Sequence, residues 1–214
     1  MSRPRQKNGK GRHQEILEAA AGVITARGLA DTRISDIADR CGVSPGLILY
    51  YFESKDRLLV EALTSANDQF YLRLSREMRR VDSAKQQLER LVELSVPGLL
   101  PEYERLDEWA LWIEIWVRAL RDPKLAQERE VLDRRWRQSI ADIIRHGRST
   151  GEFPDGEDAD QLGLELGAMI DGLAIQVLMN DTTFSPQRMY DVCLDVSSRL
   201  IGFELDRAAL AETP

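Results

Sequence analysis

The sequence predicts an all-α fold: an N-terminal three-helix bundle with a helix-turn-helix, followed by a larger helical C-terminal domain. Three observations predict it. Apolar residues recur at helical spacing in one segment after another of the 214-residue chain. Capping and turn residues separate these segments. No stretch shows the sustained β-branched alternation that is typical of a strand.

The first helix is predicted from an apolar stripe that ends at Gly28, which can close a helix in the left-handed conformation. The stripe consists of Ile16, Ala20, Val23 and Ile24. Residues 1–12, before it, hold five Lys or Arg and no acidic residue, and their Gly and Pro disfavour a helix. They predict a flexible basic arm, and the alternative is a solubilising tail.

Two short helices and a sharp turn follow. Thr32 is the predicted N-cap of the second helix, whose apolar positions run to Cys41 before Gly42 ends it. Gly42 can take a positive φ, which turns the chain sharply. Ser44 then suits the N-cap of a third helix and Pro45 its first position. This arrangement is typical of a helix-turn-helix.

The third helix is predicted to have an inner and an outer face. Ile48 and Phe52 lie one turn apart and anchor it inward. The outer face presents Leu47, Leu49 and Tyr50. A short helix with Gly46 near its start can enter the major groove, where the leucines touch thymine methyl groups and the tyrosine reaches a phosphate or a base edge. The alternative is a plain bundle in which both leucines pack on the following helix.

Polar residues near the predicted helix N-termini are candidates for phosphate contacts, because free N–H groups lie there. They are Arg33, Ser35, Ser44 and Lys55. Lys55 follows Ser54, the predicted cap of a fourth helix that runs towards Met78.

Charge is distributed unevenly along the chain. Residues 1–57 hold ten Lys and Arg against seven Asp and Glu, whereas residues 58–214 have a net charge of −10. Phosphate binding needs clustered basic residues. We therefore expect a basic arm at 1–12, a DNA-binding domain at 13–57 and a ligand-binding and dimerisation domain at 58–214.

Residues 12–63 resemble the N-terminal DNA-binding domain of the tetracycline-repressor (TetR) family of bacterial regulators. The stretch TRISDIADRCGVSPGLILYYFESKDRLL carries the resemblance. It implies that residues 44–50 read bases and that four side chains contact the DNA backbone: Ser44, Tyr50, Tyr51 and Lys55. Many members of that family have Tyr in place of Leu49 and Thr in place of Arg33 or Leu47.

The rest of the chain is predicted to be helical, with segments separated by turn and capping signals. These signals are Asp82-Ser83, Pro97 to Pro101, Asp122-Pro123, Gly151 to Gly156 and Ser185-Pro186.

Three tryptophans share one face of a C-terminal-domain helix at spacings of three and four: Trp109, Trp112 and Trp116. One interpretation is ordinary core packing. The other is the wall of a ligand pocket, because large rings facing small residues of a neighbouring helix leave apolar gaps. The small residues considered are Gly163, Gly167, Ala168 and Gly172.

Asp171 lies in the apolar run GAMIDGLAIQVLM, where a buried carboxylate needs a partner. Arg118, Arg121 or a helix N-terminus is one possibility. A cationic ligand held by Asp171 and tryptophan faces is the other. The candidate ligand-binding residues are Trp109, Trp112, Trp116, Met169 and Asp171.

The segment WIEIWVRALRDPKLAQ and the run IDGL are similar to the C-terminal domain of choline-responsive BetI-type members of the family.

The last two helices are predicted to form a dimer interface. Residues 162–179 are apolar on most of the helix circumference, and the final helix carries a stripe with spacings of four and three. The candidate interface residues are Leu166, Leu173, Met189, Cys193, Val196 and Leu200. The alternative is a monomer whose last helices close its own core.

Taken together, these features predict a homodimeric, ligand-responsive repressor that binds a palindromic operator and is released by a small molecule. Activation instead of repression is an open alternative, as is an architectural DNA-binding protein without a ligand. An enzyme is the third alternative, although no HExxH, CxxC, GxSxG or phosphate-loop pattern occurs and His13 and His146 are the only histidines. We expect no catalytic residue, cofactor or metal.

The cytoplasm is the predicted location. Two distant cysteines, Cys41 and Cys193, are too few for a disulfide framework. Glu165 and Asp171 interrupt the most apolar stretch, so we expect no membrane span. The N-terminus has no apolar signal core.

Overall fold

The computed structural model describes residues 9–100 and 106–205. Over these two ranges the chain forms nine α-helices and no strand, which confirms the predicted fold class. The helices are α1 (Gly9–Asp31), α2 (Ile34–Cys41), α3 (Pro45–Phe52), α4 (Lys55–Met78), α5 (Ala84–Ser95), α6 (Leu106–Ala119), α7 (Pro123–Thr150), α8 (Ala159–Leu178) and α9 (Pro186–Ile201).

The chain divides into two compact units. The first comprises Met1–Tyr71 and Arg105–Leu132, and the second comprises Leu72–Glu104 and Asp133–Pro214. The boundaries fall inside α4 and α7 rather than after residue 57, where the sequence places the end of the DNA-binding domain. The first unit is larger than predicted because α6 packs on α1 and therefore belongs to it.

The core of the first unit is built from α1 to α4, α6 and the start of α7. All four residues of the predicted α1 stripe are buried in it. Other fully buried members are Ile37, Ile48, Leu59, Leu63, Leu111 and Ile115. The apolar faces of the first helices are thus buried together in one shared core.

Serine hydroxyls cap four helices at predicted positions, and each accepts an N–H from the first turn. The pairs are Ser44 with Leu47 (3.3 Å), Ser54 with Arg57 (3.1 Å), Ser83 with Gln86 (3.4 Å) and Ser185 with Arg188 (3.1 Å). These caps and the start of α7 at Pro123 confirm the predicted segment boundaries there.

The predicted cap at Thr32 is wrong. α2 begins at Ile34 with Arg33 as its N-cap, and the N–H of Arg33 donates to the Asp36 carboxylate at 3.0 Å. The Thr32 side chain is buried, and its hydroxyl donates to the carbonyl oxygen of Gly28 at 2.7 Å. Thr32 therefore closes the end of α1 instead of starting α2.

Part of the predicted basic arm is helical. Residues 9–12 belong to α1, and the Arg12 guanidinium pairs with the Glu15 carboxylate at 3.0 Å. This i, i+3 ion pair helps the helix to start earlier than the sequence predicts. The rest of the arm, residues 1–8, lies outside the described residues, as does Pro101.

The second unit contains α5, α8, α9 and most of α7, with α9 packed on both α8 and α5. Its buried residues include Leu91, Ile140, Ile144, Leu162, Ile170 and Leu194. Of the described helices, α8 alone is long and apolar enough to cross a membrane by length and composition, and 33% of its most apolar window is buried within the protein. The other residues of that window are half-buried or exposed, and they include Glu165 and Asp171.

Candidate nucleic-acid interface

The turn between α2 and α3 has the predicted geometry. Gly42 has φ 64° and ψ 41°, the left-handed conformation. The N–H groups of Gly42 and Val43 donate to the carbonyl oxygens of Asp39 and Ala38 at 3.2 and 3.0 Å, which closes the last turn of α2. A Cβ added at Gly42 would meet no atom within 4 Å. Backbone conformation, not crowding, therefore favours glycine here.

Helix α3 is anchored by one face and exposed on the other. Ile48 and Phe52 are buried in the first unit's core. Tyr50 is 80% exposed and Leu49 is 46% exposed, while Leu47 is half-buried. This confirms the predicted inner and outer faces, and the exposure of Leu49 contradicts the plain-bundle alternative.

The N-terminus of α3 offers a low, open surface. Ser44, Pro45 and Gly46 are all exposed. A Cβ added at Gly46 would meet no atom within 4 Å. A DNA backbone can approach such a helix start closely, and the first-turn N–H groups favour an anion there.

Tyr51 packs α3 against α1. Its half-buried ring lies edge-on to the His13 ring, with 5.7 Å between the ring centroids. The His13 ring also lies 4.7 Å from the Phe52 ring, and its Nε2 atom is 3.2 Å from a carboxylate oxygen of Glu61 on α4. Tyr51 thus has a packing role in addition to the backbone contact that the family resemblance implies.

Lys55 has a partner within the protein. Its ammonium donates to the carbonyl oxygen of Thr32 at 2.7 Å and lies 3.5 Å from that of Ala30. A phosphate contact by Lys55 therefore requires the ammonium to be shared or released. Arg33 and Ser35, the other predicted phosphate contacts, are exposed at the start of α2.

The predicted ligand-binding residues divide between the two units. Trp112 and Trp116 are partly buried against the core of the first unit, with 5.9 Å between their ring centroids, and Trp109 is half-buried on the same helix. Met169 and Asp171 are half-buried on α8 in the second unit. Their predicted association as one site therefore stays a prediction.

The tryptophan opposite the small residues of α8 is Trp136 of α7, which was not among the predicted pocket residues. A Cβ added at Gly167 would lie 3.3 Å from the Trp136 indole nitrogen. A Cβ added at Gly163 would lie 2.6 Å from the Arg137 carbonyl oxygen. The two glycines therefore allow α8 to cross α7 closely. The sequence did offer Trp136 as a further candidate, because it is the fourth tryptophan of the chain, after the three of α6.

Asp171 faces charged groups of α7. Burial and the nearby Asp133 carboxylate raise the pKa of Asp171 to about 7, while the Arg137 guanidinium acts to lower it. Of the predicted partners, Arg118 pairs with Asp56 in the first unit, and a partnership of Asp171 with Arg118, Arg121 or a helix N-terminus stays a prediction. Asp171 is therefore a carboxylate whose charge the protein compensates only in part.

Half of the predicted dimer residues belong to the core of their own subunit. Leu166, Met189 and Cys193 are each 0% exposed. The cause is that α9, which carries Met189 and Cys193, packs within the same chain on α5 and on α8, which carries Leu166. Leu173 and Val196 are half-buried, and Leu200 is 41% exposed. Of the six predicted interface residues, only these last three can offer surface to a second chain.

A helix-turn-helix with an exposed recognition helix, joined to a helical C-terminal region, defines a DNA-binding transcriptional regulator. Residues 16–62 match the family described as bacterial regulatory proteins, tetR family, and residues 84–202 match the C-terminal region of BetI-type transcriptional repressors. The chain belongs to the TetR family, with a BetI-type C-terminal region. Its function is ligand-responsive regulation of transcription, and the members of this family are regulators rather than enzymes.

Relatives and solved structures agree with this assignment. The chain is 27% identical to the HTH-type transcriptional regulator BetI of Escherichia coli, over 79% of this chain and 83% of the relative. A regulator from Saccharomonospora viridis, crystallised in complex with choline, is 38% identical and has a TM-score of 0.78, with 88% of this chain and 95% of that chain covered. A TetR-family regulator from Rhodococcus is 27% identical, also with a TM-score of 0.78, over 90% of this chain and 99% of that chain.

Proposed function

We propose that the protein is a homodimeric repressor that binds a palindromic operator and leaves it when a small organic cation binds. The observation that carries the proposal is the orientation of α3, with Ile48 and Phe52 buried and Tyr50 exposed. One eight-residue helix contacts few base pairs. Useful specificity therefore needs two copies that reach half-sites about 34 Å apart, one turn of the DNA helix.

The outer face of α8 and α9 is the proposed dimer interface. On α8 and at its C-cap, four apolar or small residues are exposed and lie on one side of the helix: Leu164, Ala168, Gly172 and Met179. On α9, Val192, Val196 and Leu200 follow at spacings of four. A Cβ added at Gly172 would meet no atom within 4 Å, so a second helix can approach closely there. Contact between two such faces would bury this apolar surface.

A charge on this face should separate the subunits. We expect Ala168→Glu to be monomeric at micromolar concentration, because both copies would place a carboxylate in an apolar contact. Analytical ultracentrifugation measures the mass in solution. Gln127→Glu, an exposed substitution in the first unit, is the matched control and should remain dimeric. A dimeric Ala168→Glu protein would show that the interface lies elsewhere.

An organic cation is the proposed effector because of Asp171. This carboxylate is half-buried on α8 and its pKa is raised by burial, and removing a charge from water is costly unless an opposite charge compensates it. The Trp136 ring lies against Gly167, one turn earlier on α8, and indole faces attract cations. The Saccharomonospora viridis regulator was crystallised with choline, a quaternary ammonium compound. These observations support a ligand of that class.

Selection from random double-stranded DNA tests the DNA-binding part of the proposal. The expected result is a palindrome whose half-sites lie about 10 base pairs apart, centre to centre. Binding to the selected duplex should exceed binding to a scrambled duplex by about 1,000-fold or more at physiological salt. Equal affinity for both duplexes, together with a steep dependence on salt, would instead support an architectural DNA-binding protein.

A further inference from the structure

The corner between α1 and α2, residues 28–33, is held together by side chains from outside it. Gly28 has φ 74° and ψ 158°, so α1 breaks there and the N–H of Leu29 leaves the helical hydrogen-bond ladder. The carbonyl oxygen of Gly28 accepts from the Thr32 hydroxyl, and that of Thr32 accepts from the Lys55 ammonium at 2.7 Å. The first of these contacts lies within the corner, and the second comes from the start of α4.

Glu114 of α6 satisfies the amide that this break releases. Its Oε1 atom accepts from the N–H of Leu29 at 2.9 Å. Leu29 is 0% exposed, so loss of this acceptor would leave the Leu29 N–H without a hydrogen-bond partner and with little access to water. A Cβ added at Gly28 would lie 3.1 Å from the same carboxylate oxygen. Glycine at this position thus permits the backbone bend and leaves room for Glu114.

The same face of α6 also contacts the start of α4. Arg118, one turn after Glu114, donates to the Asp56 carboxylate in the first turn of α4. Asp56 is the neighbour of Lys55, which holds the Thr32 carbonyl oxygen. The contacts therefore run from α6 to the corner, on to α4 and back to α6. Helices α2 and α3 lie in the chain between these two attached segments.

We propose that Glu114 is a positioning residue for DNA binding. It holds the α1–α2 corner to α6, and the corner holds the start of α4 through Lys55, so both ends of the helix-turn-helix have a defined position. In this role Glu114 does not touch DNA. Its loss changes the orientation in which α3 meets the groove, so sequence-specific binding suffers while non-specific attraction to phosphates is kept.

Two substitutions at Glu114 separate the hydrogen bond from the charge. Glu114→Ala removes both, and we expect about tenfold weaker binding to the strongest duplex that the wild-type protein selects from random DNA. Glu114→Gln keeps an oxygen that accepts from the Leu29 N–H, and it should bind within twofold of the wild type. Binding is measured by fluorescence anisotropy at a temperature where circular dichroism shows full helicity. The Glu114 proposal depends on the proposed function, which the selection of a duplex by the wild-type protein tests separately.

Further readouts distinguish positioning from general stability. Affinity for a scrambled duplex should change less than twofold in Glu114→Ala, and hydrogen exchange should accelerate in residues 28–33 but not in α8 or α9. Glu130→Ala, an exposed acid on the first-unit part of α7, is the charge-matched control and should bind as the wild type does. Should Glu114→Ala fail to fold, Glu114→Asp, which shortens the reach, decides the question with an expected loss of several-fold.

Three results would overturn the proposal. The first is specific affinity within twofold of the wild type in a folded Glu114→Ala or Glu114→Asp protein. The second is an equal loss in Glu114→Gln and Glu114→Ala, which would assign the effect to charge. The third is an equal loss on the selected and the scrambled duplex, which would show that the orientation of α3 is not what Glu114 controls.

Discussion

Tyr50→Ala is expected to lower the affinity for the selected palindrome about 100-fold. The Tyr50 ring is 80% exposed at the centre of the outer face of α3, so it can reach a base edge or a phosphate without moving the backbone. A contact of this kind contributes about 1–1.5 kcal/mol, the lower part of the range for direct readout, and a dimer makes it twice. About 1.4 kcal/mol corresponds to one factor of ten, which gives the expected 100-fold loss.

Fluorescence anisotropy with labelled duplexes at one fixed salt concentration measures this effect. Tyr50→Phe separates the hydroxyl from the ring, and it should retain most of the affinity if the ring makes the contact. Leu120→Ala is a suitable control, because Leu120 is 84% exposed in the same unit and follows α6 rather than the helix-turn-helix. Unchanged affinity in Tyr50→Ala would mean that α3 does not enter the groove by its outer face.

Asp171→Asn should abolish the response to an organic cation, with choline as the probe. The substitution keeps the size of the side chain and removes the negative charge that we propose as the counter-ion. Truncating one partner of a buried charge pair costs about 2–5 kcal/mol, so choline affinity should fall at least 30-fold in isothermal titration. Release from the selected duplex by choline should fall in parallel. Asp155→Asn, at an exposed loop position in the same unit, is the control.

The pH dependence gives a second test of Asp171. Burial raises its pKa from 3.8 to about 7, so between these values the folded state holds a proton that the unfolded state releases. Binding of this proton stabilises the folded state fully at low pH, and this contribution to the free energy of unfolding is lost as the pH rises through 7. Asp171→Asn should therefore raise the melting temperature at pH 8, with a smaller gain at pH 5. Choline binding by the wild type should strengthen over the same rise in pH, because the ionised form binds the cation.

Two observations would contradict this account of Asp171. One is wild-type choline affinity in the Asp171→Asn protein. The other is a stability difference between the two proteins that is the same at pH 5 and pH 8, since that would mean Asp171 does not titrate in this range.

The helix-turn-helix could be predicted from the sequence because its determinants are local. Ser44 caps α3 through a bond to Leu47, three residues away, and Gly42 turns the chain by its own backbone conformation. Ile48 and Phe52 share a face because a helix repeats every 3.6 residues. The exception, Thr32, shows the limit of this reasoning. A hydroxyl at this position can accept an N–H from the start of α2 or donate to a carbonyl oxygen at the end of α1, and that of Thr32 donates to Gly28.

The proposed ligand-binding residues are harder to predict from the sequence because their surroundings depend on which helices pack together. The spacing of Trp112 and Trp116 shows that they share a face, but not that this face meets the core of the first unit. Likewise, the apolar run around Asp171 implies a buried carboxylate without showing that Asp133 and Arg137 of α7 lie near it.

By itself, the sequence determined in outline the helical segments of the described residues, the turn at Gly42, the capping serines and the two faces of α3. Each of these depends on hydrogen bonds and side-chain spacing within a few residues. Only the tertiary structure decided that α6 packs on α1, that Glu114 holds the Leu29 amide, and that Met189 faces its own core. Such contacts join residues far apart in the chain, and many pairings of amphipathic helices satisfy the same apolar pattern.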